Sequence, residues 1–236
     1  MKLGLQKLSL VDYPGRVACV LFLPGCNFAC PYCHNPELLS LEASADLVSL
    51  ETALSHLGRR QGVIGAGVIS GGEPLLRPDI PALVSRLRHH AVLVKLDTNG
   101  SFPERIGPAG VDYLALDIKT SPARYPELWP AAPTDAADRI MESIRLVRAL
   151  GKPYEFRITC APGIFGLDEA RQVAALLRPE DPVYLQRCQK SQVLDPVWAE
   201  SQADYSETEL AGLLSIIRQA APSARSGVPP RASQAA

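Results

Sequence analysis

Asp112-Tyr113-Leu114-Ala115-Leu116-Asp117-Ile118-Lys119 alternates in character from start to finish. Successive side chains of a strand point to opposite faces, so Leu114, Leu116 and Ile118 share one face and Tyr113, Ala115, Asp117 and Lys119 the other. The same pattern recurs on both sides of this stretch. Over 92–97, Lys95 and Asp97 oppose Val94 and Leu96; over 154–160, Glu155, Arg157 and Thr159 oppose Phe156, Ile158 and Cys160. A parallel sheet covered on both faces is apolar on both. Three strands with one apolar and one charged face predict helices outside and an inner wall lining a cavity for a polar, zwitterionic ligand. The alternative is that these charges pair only with one another, as structural ion-pair networks do.

Working outward, strands are predicted at 17–23, 67–70 and 183–187, and helices at 47–60, 79–89, 134–150, 167–177 and 207–220. The helix at 134–150 has Ile140, Met141, Ile144 and Val147 at helical spacing and stops before Gly151. Strands alternating with helices build a parallel sheet, and six such units fall short of the eight of a closed barrel. The expected fold class is α/β, a partial (β/α)6 barrel of parallel strands with outer helices; a doubly wound open sheet is the alternative. One domain is expected over 1–219, with a disordered tail at 220–236, where Ala, Pro, Ser and Gly dominate.

Between the first two strands comes Gly25-Cys26-Asn27-Phe28-Ala29-Cys30-Pro31-Tyr32-Cys33-His34-Asn35. The spacing C-x3-C-x2-C puts three thiolates on one loop with no fourth beside them. A closed structural metal site takes four protein ligands. A cubic iron–sulfur cluster held by three thiolates keeps one iron open. Zinc would need His34 as its fourth ligand, but residues as close as Cys33 and His34 chelate one tetrahedral ion poorly. Disulfides suit neither the density, six cysteines in 236 residues, nor an N-terminus without the pattern of a signal peptide. No uninterrupted apolar window reaches bilayer-spanning length. The expected compartment is a reducing cytoplasm, with no membrane partner. With 47% apolar and 21% charged residues and a net charge of −1, the chain has a globular core and no basic excess to mark a nucleic-acid partner.

Five motifs together resemble a known family: Val11-Asp12-Tyr13-Pro14-Gly15-Arg16, the cysteine run through Pro36, Ser70-Gly71-Gly72-Glu73-Pro74, Leu96-Asp97-Thr98-Asn99-Gly100, and Leu116-Asp117-Ile118-Lys119. From Leu5 to Gln186 the chain resembles the radical S-adenosylmethionine (SAM) enzymes. Within them it resembles the activating enzymes of glycyl-radical enzymes, above all the longer type of anaerobic ribonucleoside-triphosphate reductase activating protein. The resemblance implies that Cys26, Cys30 and Cys33 ligate a [4Fe-4S] cluster, the catalytic centre, whose open iron is chelated by the amino and carboxylate groups of SAM. An electron then cleaves SAM to methionine and a 5′-deoxyadenosyl radical. Phe28 and Tyr32 would shield the cluster from water. The segment of Gly71, Gly72 and Glu73 would bond the SAM amino group, its glycines admitting close backbone approach. Asp97, Thr98 and Asp117, with the Ala115 carbonyl, would hold a monovalent cation beside the SAM carboxylate. Asn99 closes that strand, Lys119 and Arg157 would meet SAM, and Gln186 would bond its ribose or adenine.

The implied partners are a glycyl-radical enzyme as protein substrate and a flavodoxin or ferredoxin-type electron donor. Related formate-lyase activases have a histidine near the end of the last strand where this chain has Gln186, which cannot titrate. No eight-cysteine ferredoxin insert lies between Pro36 and Ser70, so a single cluster is expected. Cys19 and Cys160 read as core residues, and Cys188 is isolated. Alternative functions are activation of another glycyl-radical enzyme such as pyruvate formate-lyase, radical chemistry on a small molecule such as a deazapurine precursor, or non-catalytic electron transfer by an iron–sulfur protein. Finally, the proline-rich stretch 120–133 carries Tyr125 and Trp129 on chain expected to be exposed at the cavity mouth. It reads either as a grip for the partner or as a surface connector whose Trp129 tucks onto a neighbouring helix.

Overall fold

The computed structural model describes residues 1–41 and 47–228. The strands are β1 (Lys2–Ser9), β2 (Ala18–Leu23), β3 (Val48–Ser49), β4 (Ala66–Gly71), β5 (Leu93–Thr98), β6 (Tyr113–Ile118), β7 (Tyr154–Cys160), β8 (Val183–Arg187) and β9 (Arg225–Ser226). They form one sheet in the order β3-β1-β2-β4-β5-β6-β7-β8-β9. β2 and β4 to β9 are mutually parallel, while β1 runs antiparallel to both its neighbours. The six predicted strands are β2 and β4 to β8, and the fold is the expected partial barrel. β1, β3 and β9 extend it at the two ends.

The helices are α1 (Leu50–Arg59), α2 (Ile80–Arg88), α3 (Pro103–Ile106), α4 (Tyr125–Leu128), α5 (Ala136–Ala149), α6 (Leu167–Ala174), α7 (Pro196–Ser201) and α8 (Glu207–Ala220). Their ends follow local chemistry. Ser49 Oγ accepts from Thr52 N at 3.1 Å to start α1, and Ser206 and Glu209 form a reciprocal box at the start of α8. α5 buries Ile140, Ile144 and Val147, as its spacing predicts, but Met141 lies on its exposed side. Among the described residues, no helix is long and apolar enough to cross a membrane.

The outer faces of the strands and the helices share the main core, which includes Leu114, Leu116, Ile118, Phe156 and Ile158. Cys19 and Cys160 are buried in it, as expected. A smaller cluster, Tyr13, Ala18, Val20, Ala66 and Val68, fills the inner face toward the strand starts. Tyr13 and Tyr113 meet there with ring centroids 5.6 Å apart. The lumen is therefore packed at this end, and polar groups occupy the other.

The expected tail boundary needs correction. Ala221 and Ala224 are buried, and β9 pairs with β8 through Tyr184↔Arg225 and Leu185↔Ser226. The parallel edge of β8 takes up these backbone groups, so ordered chain continues past residue 219. The rest of the predicted tail, 229–236, lies outside the described residues.

Candidate active site

The cysteine loop follows β2 and is fastened on two sides. On one side, Ala29 N donates to Leu128 O at 2.8 Å, and the Phe28 ring lies 5.8 Å from Tyr125 and 5.2 Å from Trp129, centroid to centroid. On the other, Asp195 N donates to Pro31 O at 3.0 Å, His34 Nδ1 lies 3.2 Å from Gln192 O, and the Tyr32 ring lies 6.2 Å from Trp198. Cys26 and Cys33 are half-buried and Cys30 is buried. All three border one cavity of about 400 Å³. Burial pushes the Cys26 thiol up to about 12 and the Cys30 thiol up to about 11.

This arrangement corrects the reading of 120–133 as an exposed grip. Tyr125 is 0% and Trp129 7% exposed. Pro122 and Pro126 open two consecutive helical turns, Pro122–Arg124 and α4, which fold both aromatics back behind the cysteine loop. Tyr125 Oη accepts from Lys119 N at 3.1 Å, joining the segment to the end of β6.

At the end of β4, the glycines let the strand end pack on the cysteine loop. A Cβ on Gly72 would come within 2.1 Å of Gly25 O, and one on Gly71 within 2.4 Å of Leu23 N. Gly71 also has a φ of +116°. Only glycine lets this strand end lie against the start of the cysteine loop. Ser70, Gly71 and Gly72 border the cavity, but Glu73 does not. Its carboxylate turns inward: Oε1 accepts from Leu75 N at 2.9 Å and Thr98 Oγ1 at 2.8 Å, and Oε2 from Asn99 N at 2.7 Å. Burial pushes this carboxyl up to about 7, against the pull of the three donors. Glu73 thus ties the end of β4 to the end of β5 rather than meeting a ligand directly.

The charged inner faces converge as the strand period predicts. Asp117 sits opposite Arg157 in the β6–β7 register. Arg157 Nε donates to Asp117 Oδ1 at 2.7 Å and Nη1 to Asp97 Oδ2 at 3.1 Å, while Lys119 Nζ donates to Asp117 Oδ2 at 3.0 Å. Burial alone would raise the Asp117 carboxyl, but Arg157 and Lys119 hold it well below the usual carboxylate range. Deeper in, Lys95 Nζ donates to Glu155 Oε1 at 2.9 Å and Asp12 O at 2.8 Å, and Tyr113 Oη to Glu155 Oε2 at 2.9 Å. Lys95 and Glu155 are sealed from solvent and pair only with protein groups. Asp97, Asp117, Lys119 and Arg157 instead border the cavity, with Thr98, Asn99, Tyr32 and Gln186.

Every residue singled out in the sequence for the site therefore lines one cavity, except Glu73 and Ala115. Asp12, Asn35 and Thr159 border it too. Thr159 shares the inner-face period of Arg157, and Asp12 stands in the N-terminal motif, so a signal for each was present in the sequence.

The residues fit an iron–sulfur cluster with SAM. Three free thiols border one cavity, facing carboxylates and bases on the strands. Among the described residues, no three His, Cys, Asp or Glu converge to hold a single metal ion, whereas a cubic cluster takes each thiolate on a different iron. Tyr32 Oη, on a residue that borders the cavity, is buried with only the Cys30 thiol beside it. A buried polar group of this kind points to a bound group that completes it.

Comparison with known proteins agrees. The model of the radical SAM superfamily matches residues 20–176. A Methanocaldococcus jannaschii protein provisionally named a glycyl-radical enzyme activating enzyme is 29% identical over 200 residues, 81% of each chain. The pyruvate formate-lyase-activating enzyme of Clostridium pasteurianum is 34% identical over 125 residues, which are 49% of this chain and 51% of that enzyme. Among solved structures, Streptococcus suis SuiB bound to the precursor peptide SuiA superposes with a TM-score of 0.64 at 14% identity, over 92% of this chain and 50% of that one. This last likeness is one of fold.

Proposed function

The chain belongs to the radical SAM superfamily, whose members are enzymes built around a [4Fe-4S] cluster and SAM, and from that premise we propose that it generates a glycyl radical on a separate protein, anaerobic ribonucleoside-triphosphate reductase. The observation that carries this reading is the match along 81% of both chains to the archaeal activating enzyme. Gln186 on the cavity wall supports the choice of partner, since the formate-lyase activases that this chain resembles carry a histidine near the end of the same strand.

A [4Fe-4S] cluster held by Cys26, Cys30 and Cys33 would supply the single electron that cleaves SAM, and the net reaction would yield methionine, 5′-deoxyadenosine and a glycyl radical on the partner. The chain's own residues hold the parts in place. Cys26, Cys30 and Cys33 carry the cluster. Phe28, backed by Tyr125 and Trp129, keeps water from it. Gly71 and Gly72 present backbone to the SAM amino group, Lys119 and Arg157 take its carboxylate, and Gln186 bonds its nucleoside. Glu73 and Thr98 fix the strand ends that carry these groups. The electron arrives from a flavodoxin or ferredoxin-type donor.

The test is electron spin resonance of the anaerobically reconstituted protein with SAM, a reductant and each of two candidate partners. A glycyl doublet on the ribonucleotide reductase, and none on pyruvate formate-lyase, is expected. A doublet on the lyase alone would change the partner. SAM cleavage with no protein radical on either would point to a small-molecule substrate, and no SAM cleavage at all would overturn the enzymatic reading.

A further inference from the structure

The oxygen ligands that a monovalent cation beside the SAM carboxylate would use are Asp97, Thr98, Asp117 and the Ala115 carbonyl, and the side chains among them do not suit one. Arg157 stands between the two carboxylates, donating to Asp117 Oδ1 at 2.7 Å and to Asp97 Oδ2 at 3.1 Å. Of the remaining carboxylate oxygens, Asp117 Oδ2 accepts from Lys119 Nζ at 3.0 Å, and Asp97 Oδ1 makes no hydrogen bond among the described residues but has Lys95 Nζ 3.5 Å away. Thr98 Oγ1 donates to Glu73 Oε1 at 2.8 Å and accepts from Gly100 N at 3.1 Å, so its proton and one lone pair are already engaged.

Charge leads to the same conclusion. Lys95, Lys119 and Arg157 face Asp97, Asp117 and Glu155, three cations against three anions in one connected network. That network is neutral within itself, although Asp12 and the three cysteines border the same cavity. A metal ion there would add positive charge in a low-dielectric site that also has to take a sulfonium. The guanidinium is placed by the sheet itself, because the β6–β7 register sets Arg157 opposite Asp117.

We infer that Arg157 is the built-in cation of this site, and that SAM binding in this chain needs neither potassium nor sodium. The inference rests on the reading of the cavity as a SAM site. Bound in this way, the guanidinium retains its hold on the aspartates while a further N–H meets the ligand's carboxylate, for which a five-donor fork has capacity.

The test uses the cluster-loaded protein in potassium, sodium or choline chloride at equal ionic strength, with two readouts. The first is SAM affinity by equilibrium binding. The wild type should change by less than about twofold between potassium and choline, and Arg157→Gln should bind about tenfold more weakly in choline and recover in part with potassium or guanidinium. A wild type that needs potassium, or an Arg157→Gln protein as tight and as cation-independent as the wild type, would overturn the inference. Arg157→Lys, which keeps the charge, should stay cation-independent and serves if the glutamine variant fails to fold. The second readout is the sodium-23 NMR linewidth, which requires no SAM. Sodium should broaden no more with the wild type than with Asp97→Asn/Asp117→Asn, and excess broadening would overturn the inference. If the loaded protein bound no SAM under any salt, the functional reading would fail, while the sodium linewidth would still decide the cation question.

Discussion

Glu73 shows how a residue can belong to the site's motif without touching what the site holds. Its two carboxylate oxygens accept three hydrogen bonds from the ends of β4 and β5, entirely inside the protein. Glu73→Gln would turn an NH2 toward at least one donor, and a stability loss of about 1–3 kcal/mol in urea unfolding is the expected outcome. Asp117 makes the complementary prediction about pH. Arg157 and Lys119 hold its carboxyl below the value it takes in the unfolded chain. The native state therefore binds fewer protons in the acid range, and the stabilisation is complete above about pH 4 and lost as pH falls toward the native value. Asp117→Asn should flatten this acid limb in unfolding curves measured between about pH 5 and pH 3. The side of the sheet on which Asp97, Asp117, Lys119 and Arg157 lie was legible from strand period alone. The role of Glu73 was not, because nothing in Ser70-Gly71-Gly72-Glu73-Pro74 distinguishes a carboxylate facing a ligand from one facing its own backbone.

Among the elements, the segment 120–133 is the one the sequence misplaces. Prolines and aromatics after a strand look like exposed chain, and the contact that buries them, Phe28, lies about a hundred residues away, which no local pattern reports. As the backing of the cysteine loop, it predicts that Trp129→Ala destabilises the protein by about 3–5 kcal/mol. Iron content after reconstitution should fall, and SAM cleavage and partner activation should fall together. A partner grip would instead lose activation while cleavage persisted. Trp129→Phe should restore much of both. β1 also escaped sequence reading: Gly4, Gln6 and the lysines are weak strand formers, and an antiparallel edge strand does not continue the β–α alternation. β7, β8 and α8 were read to the residue, because strong apolar periods there end at clear caps and turns.

For the molecule as a whole, most of the core lies between the outer strand faces and the helices, and Cys30 is one small member at the cysteine loop. Cys30→Ala should therefore keep the far-ultraviolet circular dichroism of the wild type while losing the visible absorbance of the cluster and all 5′-deoxyadenosine production. The cavity is assembled from side chains on β5, β6, β7 and β8, the cysteine loop and the N-terminal turn, and their convergence is a property of the sheet rather than of any one motif. On the proposed function, the hydrogen atom removed in the reaction comes from a glycine of another protein. The most direct test is to prepare the ribonucleotide reductase with α-dideuterated glycine, activate it with this chain and SAM, and weigh the 5′-deoxyadenosine by mass spectrometry. One deuterium in the nucleoside is expected, with a glycyl radical signal that collapses from doublet to singlet; 5′-deoxyadenosine formed without deuterium would overturn the proposed function.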